Sequence, residues 1–182
     1  GRFLKEQKRL RGDTIVATVM SNIGLHRFGA ENGIHVVCTD VGDRNVLERM
    51  LQDGFVLGGE QSGHTIFLEH STTGDGQLTA LQFLSILQQS GLRASQLVQD
   101  CRQYPQVLIN VAVTDNAQKQ QIMSSEALKN SISVQEAVLG STGRILVRPS
   151  GTEALIRVMV EAETAQEAAN CAEELANLIK SL

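Results

Sequence analysis

Arg144-Ile-Leu-Val-Arg-Pro-Ser-Gly-Thr-Glu-Ala-Leu-Ile-Arg-Val-Met-Val160 reads as two strands joined by a tight connection. Side chains alternate between the faces of a strand. Ile145 and Val147 therefore share one side, opposite Arg144, Leu146 and Arg148. On the returning strand Ile156, Val158 and Val160 oppose Leu155, Arg157 and Met159. Arg148 and Arg157 can then lie on one face, on either side of the Pro-Ser-Gly-Thr turn. Upstream, Val107-Leu-Ile-Asn-Val-Ala-Val113 is a further strand, and a polar helix is expected over about 117–128. Downstream, Ala165, Ala168, Ala169, Ala172, Leu175, Ala176, Ile179 and Leu182 recur at i, i+3, i+4, the spacing of one helix face. The order is β-α-β-β-α, a small antiparallel or mixed sheet with helices on one face.

Tyr104-Pro105 marks the boundary before this unit, because proline stops a helix and pushes its neighbour toward extended structure. The expected domains are 1–103 and 104–182. Residues before the boundary have a mixed-sheet α/β rhythm. Thr14-Ile-Val-Ala-Thr-Val-Met20 is a β-branched apolar run of the kind found in buried parallel strands. Asn22 can cap the helix that follows, and Ile34–Cys38 is the next strand. Val46, Leu47, Met50 and Leu51 define a helix from about Asp43 that Gly54 ends. Short strands at 55–57 and 66–68 flank Gly58-Gly-Glu-Gln-Ser-Gly-His64. After Thr72-Thr-Gly-Asp75 comes a helix with Leu78, Leu81 and Leu84 inward and Ile86 and Leu87 as further candidates for that face, then a shorter one from Ser95 to about Arg102.

Composition narrows the function classes. Apolar residues at 42% and charged residues at 20% describe a globular chain that can bury a core. A net charge of −4 gives no broad basic field for a nucleic-acid backbone, and 3% aromatics give few stacking platforms. No apolar run approaches the length of a membrane span, and no signal peptide opens the chain. Nucleic acid and membrane are not expected partners. Cys38, Cys101 and Cys171 have no metal-ligand spacing; they read as reduced, buried thiols, and the chain as cytoplasmic.

Two loops carry chemistry. Gly58–His64 brings a carboxylate, an amide, a hydroxyl and an imidazole within five residues. Glu60 and Ser62 suit a polyhydroxylated ligand, and His64 can shuttle a proton near neutral pH. A plain polar hairpin tip is the bland alternative. Arg148-Pro-Ser-Gly-Thr-Glu153 with Arg157 offers two guanidiniums, two hydroxyls and backbone amides around one glycine, a set suited to phosphate. It is not a Walker loop, since it joins two strands and lacks GK[ST]. A hairpin with exposed arginines is the alternative there. At Gly42-Asp43-Arg44, Asp43 reads as a helix cap, while Arg44 sits at the wrong helix end for its charge and is a candidate ligand group. Thr72–Gly76 reads as a turn plus helix cap. His26, His35 and His70 read as ordinary histidines.

Taken in order and about 85 residues apart, the two loops resemble those of the α-D-phosphohexomutase superfamily. Val16-Ala-Thr-Val-Met-Ser-Asn22, Val41-Gly-Asp-Arg44, Thr72-Thr-Gly-Asp-Gly76 and Tyr104-Pro-Gln-Val107 extend the resemblance over nearly the whole chain. Gln61 is similar to the glucosamine branch. The resemblance implies a third domain with a sugar-specificity loop and a fourth with a phosphate-binding loop. Glu60 and Ser62 would grip the sugar and His64 would assist proton transfer. Arg148, Ser150, Gly151, Thr152 and Arg157 would clamp the phosphate not being transferred, with Arg44 lining the cleft. The implied reaction interconverts glucosamine 6-phosphate and glucosamine 1-phosphate through a bisphosphorylated intermediate, within amino-sugar metabolism that feeds cell-wall precursors. The implied partners are the sugar-phosphate substrate and two further domains of the same protein. Those domains would supply a phosphoserine and a Mg2+ loop, with a glucose- or glucosamine-bisphosphate activator.

No DxDxD run and no matching serine loop occur here. The expectation is therefore a partial chain that binds no catalytic magnesium and does not turn over alone. Ala154 stands where the family commonly has proline, for which a small change in strand entry is expected. The same portion of a phosphomannomutase or phosphoglucomutase, or a non-catalytic phosphosugar-binding module, are the alternative readings.

Overall fold

The computed structural model describes residues 1–182, which divide into two compact units, Gly1–Gln103 and Tyr104–Leu182. In the first, β1 (Thr14–Thr18), β2 (His35–Thr39), β3 (Leu57–Gly59) and β4 (Thr65–Phe67) form a mixed sheet of order β2-β1-β3-β4. β1 runs parallel to β2 and β3, while β3 and β4 form an antiparallel hairpin. The helices are α1 (Arg2–Glu6), α2 (Ile23–Glu31), α3 (Asp43–Asp53), α4 (Gly76–Ser90) and α5 (Ala94–Val98).

Alternation along β1 splits the core in two. Ile15 packs with Leu4, Leu10, Ile34 and Leu57, while Val16 packs with Val46, Met50 and Ile66 from α3 and β4. Both faces of the sheet are thus covered, as a parallel strand without polar alternation requires. Asn22 caps α2 by accepting the Gly24 amide at 3.0 Å, and Gly54 closes α3 in the left-handed conformation.

Several expectations need correction. Leu81 and Leu84 of α4 face solvent, at 66% and 58% exposure. Leu78, Gln82, Ser85 and Ile86 form its partly buried side. A three-residue leucine spacing drifts around a helix that turns once per 3.6 residues. The helix after it is shorter than expected and ends at Val98. Asp43 is not a cap: it is the first helical residue, its carboxylate takes the Arg44 amide at 2.8 Å, and Gly42 holds the cap position. Cys38 and Cys101 are exposed, and only Cys171 is buried. Cys38 is reachable because β2 is an edge strand.

In the second unit, β5 (Gln106–Ala112), β6 (Arg144–Pro149) and β7 (Leu155–Glu161) form an antiparallel sheet with β7 central. Ile145, Ile156, Val158 and Val160 pack against Ala168, Ala172, Leu175 and Ile179 of α8 (Ala165–Ser181). Thr164 and Glu167 cap α8 reciprocally. The single helix expected at 117–128 is two helices, α6 (Asn116–Ser124) and α7 (Glu126–Leu139). They part at Ser125, whose extended backbone (φ −62°, ψ 127°) ends one helix and starts the next. The β-branched residues Ile132, Val134 and Val138 conceal α7 in the sequence, since they weaken helix propensity.

Candidate functional site

β3 and β4 present the Glu60–His64 loop as a hairpin tip. The Glu60 amide donates to the His64 carbonyl at 2.9 Å, and the Gly63 amide to the Glu60 carbonyl at 3.1 Å. Gly59 is required by close approach: a Cβ there would stand 2.6 Å from the His64 carbonyl oxygen. Gln61, Ser62, Gly63 and His64 are exposed, and Glu60 is half-buried.

The side chains of the tip form a chain of contacts. Glu60 Oε1 accepts the Gly42 amide at 2.8 Å, and Glu60 Oε2 accepts the Ser62 hydroxyl at 3.3 Å. Ser62 Oγ lies 3.2 Å from His64 Nδ1. A serine hydroxyl has one proton. With that proton directed at Glu60, a His64 tautomer carrying its proton on Nδ1 would donate to Ser62 and leave Nε2 bare. Such a nitrogen is free to accept a proton from a ligand. Gly74 backs the ring, and a Cβ there would be 3.0 Å from His64 Cδ2. The 72–76 turn therefore supports the tip as well as capping α4, where Asp75 accepts the Gln77 and Leu78 amides. A recess of about 280 Å3 opens beside the hairpin, with Asn22, Leu25, Gly59, Glu60 and Gln61 on its wall.

Arg44 lies on α3, where its Nε donates to Glu48 at 2.8 Å across one helical turn. Its side chain is 85% exposed. It is engaged along its own helix and makes no hydrogen bond or ion pair with the Glu60–His64 tip.

The second loop is the β6–β7 connection. Arg148 and Arg157 are direct cross-strand partners in the register of the two strands. Directly opposed residues of an antiparallel pair place their Cβ atoms roughly 5 Å apart on one face, where like charges repel. Glu153 relieves this in part, accepting from Arg157 Nη2 at 2.9 Å. Arg157 Nε is buried and has no partner. Ser150 is buried at 4% exposure, and its hydroxyl accepts the Glu153 amide at 3.2 Å. Gly151 and Thr152 are exposed, and their amides bond to no other residue. Ala154 passes its carbonyl to the Val113 amide at 3.0 Å, and β7 begins at the next residue.

One residue of this loop's surroundings escaped the sequence. Lys119 of α6 is buried at 6% exposure, and its ammonium donates to the Ser150 and Glu153 carbonyls, both at 2.8 Å. A single lysine in a polar helix carries no spacing signal that would single it out.

Magnesium does not fit the residues present. No three His, Cys, Asp or Glu side chains converge as a ligand set. The carboxylates of Asp43, Glu60 and Asp75 are turned to backbone amides. No helix is long and apolar enough to cross a membrane.

Comparison with known proteins places both halves. Residues 1–104 match the family model for the phosphoglucomutase/phosphomannomutase alpha/beta/alpha domain III, and residues 108–178 that for the C-terminal domain. Phosphoglucosamine mutases from Ligilactobacillus salivarius and Carboxydothermus hydrogenoformans are 48% and 50% identical over the whole of this chain. The chain spans about 40% of the length of these curated relatives. A solved structure of Aspergillus fumigatus N-acetylphosphoglucosamine mutase superposes with a TM-score of 0.78 at 21% identity, over 92% of this chain and 38% of that one. The same enzyme in complex with GlcNAc-6P and magnesium gives a TM-score of 0.76 at 20% identity, over the same shares. At that identity the likeness concerns the fold.

Proposed function

The chain belongs to the phosphoglucomutase/phosphomannomutase family, and on that premise we propose that it is the substrate-binding C-terminal portion of a phosphoglucosamine mutase. The parent enzyme would interconvert glucosamine 6-phosphate and glucosamine 1-phosphate. The observation that carries this reading is the direct pairing of Arg148 with Arg157 at the mouth of a turn with free amides. A dianionic phosphate converts the mutual repulsion of two guanidiniums into charge-assisted hydrogen bonds. Gly151 and Thr152 add backbone donors, and the Thr152 hydroxyl completes the set; Ser150, whose hydroxyl is turned inward, holds the turn in shape.

Glu60 and Ser62 would take the sugar. The carboxylate accepts from hydroxyls or from the amine of glucosamine, and the serine can donate or accept. His64, with Nε2 bare, would receive the proton of an attacking hydroxyl and return it to the leaving oxygen. Arg44 joins only by leaving Glu48, an exchange that an exposed ion pair permits because such pairs contribute little. Magnesium would be held by residues outside this chain and would supply charge neutralisation there. The residues here bind and orient the substrate, and in phosphoryl transfer positioning and electrostatics provide most of the rate.

The test is a titration of the 15N-labelled chain with glucosamine 6-phosphate, followed at the Gly151 and Thr152 amides. Saturable shifts at both are expected, and their absence up to high ligand concentration would remove the phosphate assignment. Activity of the full-length parent on glucosamine, mannose and glucose phosphates then assigns the sugar. Preference for mannose or glucose phosphate would transfer the chain to a sibling mutase.

A further inference from the structure

We propose that Lys119 is a positioning residue for the phosphate-holding turn, aiming its amides outward and setting an uncompensated positive charge beneath them. This role rests on the reading of the turn as a phosphate site.

Lys119 is the only buried Lys or Arg in the chain. Its two partners, the Ser150 and Glu153 carbonyls at 2.8 Å each, are uncharged, and it forms no ion pair with a carboxylate. A buried ammonium without an acid is costly, and burial of this kind calls for a counterion. The turn it holds is the one that reads as an anion site.

The geometry of the peptide unit supplies the second half. In a planar trans peptide the C=O and the following N–H point in opposite directions. Drawing the Ser150 carbonyl toward Lys119 turns the Gly151 N–H away from it, to the exposed side. Drawing in the Glu153 carbonyl does the same for Ala154. Neither amide bonds within the chain. One ammonium thereby orients two donors, and the second is one that a proline at position 154 would not have. Arg148 and Arg157 grip from the strands, while Lys119 arranges the backbone between them.

The experiment compares wild type with Lys119→Met, Lys119→Gln and Lys119→Arg in the 182-residue chain. The probe is inorganic phosphate, read at the Gly151 and Ala154 amides by NMR. Wild type should shift saturably at both. Lys119→Met should weaken phosphate about tenfold or more and disperse the two amide shifts. Lys119→Arg, which keeps charge and donors, should stay within about threefold of wild type. Leu175→Ala, which destabilises the same unit away from the turn, should leave phosphate affinity within about twofold. Phosphate binding by Lys119→Met equal to wild type overturns the role of Lys119 alone. Failure of wild type to bind phosphate overturns the phosphate reading and this role with it. Should Lys119→Met not fold by circular dichroism, Lys119→Gln decides: it keeps a donor and loses the charge, and unweakened binding there overturns the charge contribution.

Discussion

The Glu60 carboxylate accepts the Gly42 amide at 2.8 Å, so the acid of the first loop is braced by the residue at the N-cap of α3. Gly42 stands at φ 127°, ψ 128°, a conformation that L side chains rarely adopt, and this conformation aims its N–H at Glu60. Gly42→Ala should destabilise the first unit by about 1–2 kcal/mol and release Glu60. Urea melts monitor the first effect. Glucosamine 6-phosphate affinity monitors the second and should fall. Unchanged affinity would show that Glu60 needs no brace.

Stability and binding should part company at the arginine pair. Arg148 and Arg157 face one another, and Arg157 Nε is buried without a partner. Arg148→Met should leave the unit no less stable, within about 0.5 kcal/mol, because a like-charge pair is relieved. Phosphate affinity should drop about tenfold or more. A loss of stability without a loss of affinity would contradict the clamp.

The two leucine sets give opposite expectations. Leu175 is fully buried among Ile145, Val158 and Val160, whereas Leu81 is mostly exposed. Leu175→Ala should cost about 2–5 kcal/mol, and Leu81→Ala should stay within about 0.5 kcal/mol. Thermal or denaturant unfolding of the two variants checks the face assignment of α4 and α8 together.

Thiol reactivity should rank by exposure. Cys38 is exposed, while burial and the nearby Glu174 push the Cys171 thiol up to about 11. A maleimide should label Cys38 first and Cys171 only after unfolding. The raised thiol also sets a direction for stability. The folded state keeps its proton between the ordinary value of 9.0 and about 11, where the unfolded chain gives it up. This contribution is present below pH 9.0 and is lost as pH rises toward about 11. Cys171→Ala should flatten the alkaline limb of the stability profile.

The purified chain should show no interconversion of glucosamine phosphates in a coupled assay. It places no metal-binding acidic cluster and no serine motif of the family's nucleophilic kind beside the 58–64 and 148–153 loops. Sustained turnover, proportional to chain concentration and lost in His64→Ala, would refute this.

Local patterning made much of this legible in advance. Period-two alternation on β6 and β7 identified the shared face of Arg148 and Arg157, because a hairpin leaves little freedom of register. Asn22 and Gly54 act within one turn of themselves, the apolar stripe of α8 shows in its own i, i+3, i+4 spacing, and each stands where its chemistry implies. What escaped depends on distant neighbours. Leu81 and Leu84 look internal until the sheet is seen to contact another side of α4. Cys38 looks internal until β2 proves to be an edge. Lys119 acts on residues 31 and 34 positions away, and Gly42 braces a side chain 18 positions on. No spacing rule reaches that far.

β7 alternates Ile156, Val158 and Val160, which hold the second unit together, with Leu155, Arg157 and Met159. A slip of one residue in that strand would drive a guanidinium into the apolar layer while pulling an aliphatic chain out to the opposite face. A one-residue slip of this strand therefore cannot yield a well-folded molecule that merely misplaces Arg157. It yields an unstable one, so the packing of the apolar layer itself proofreads which face of β7 carries Arg157.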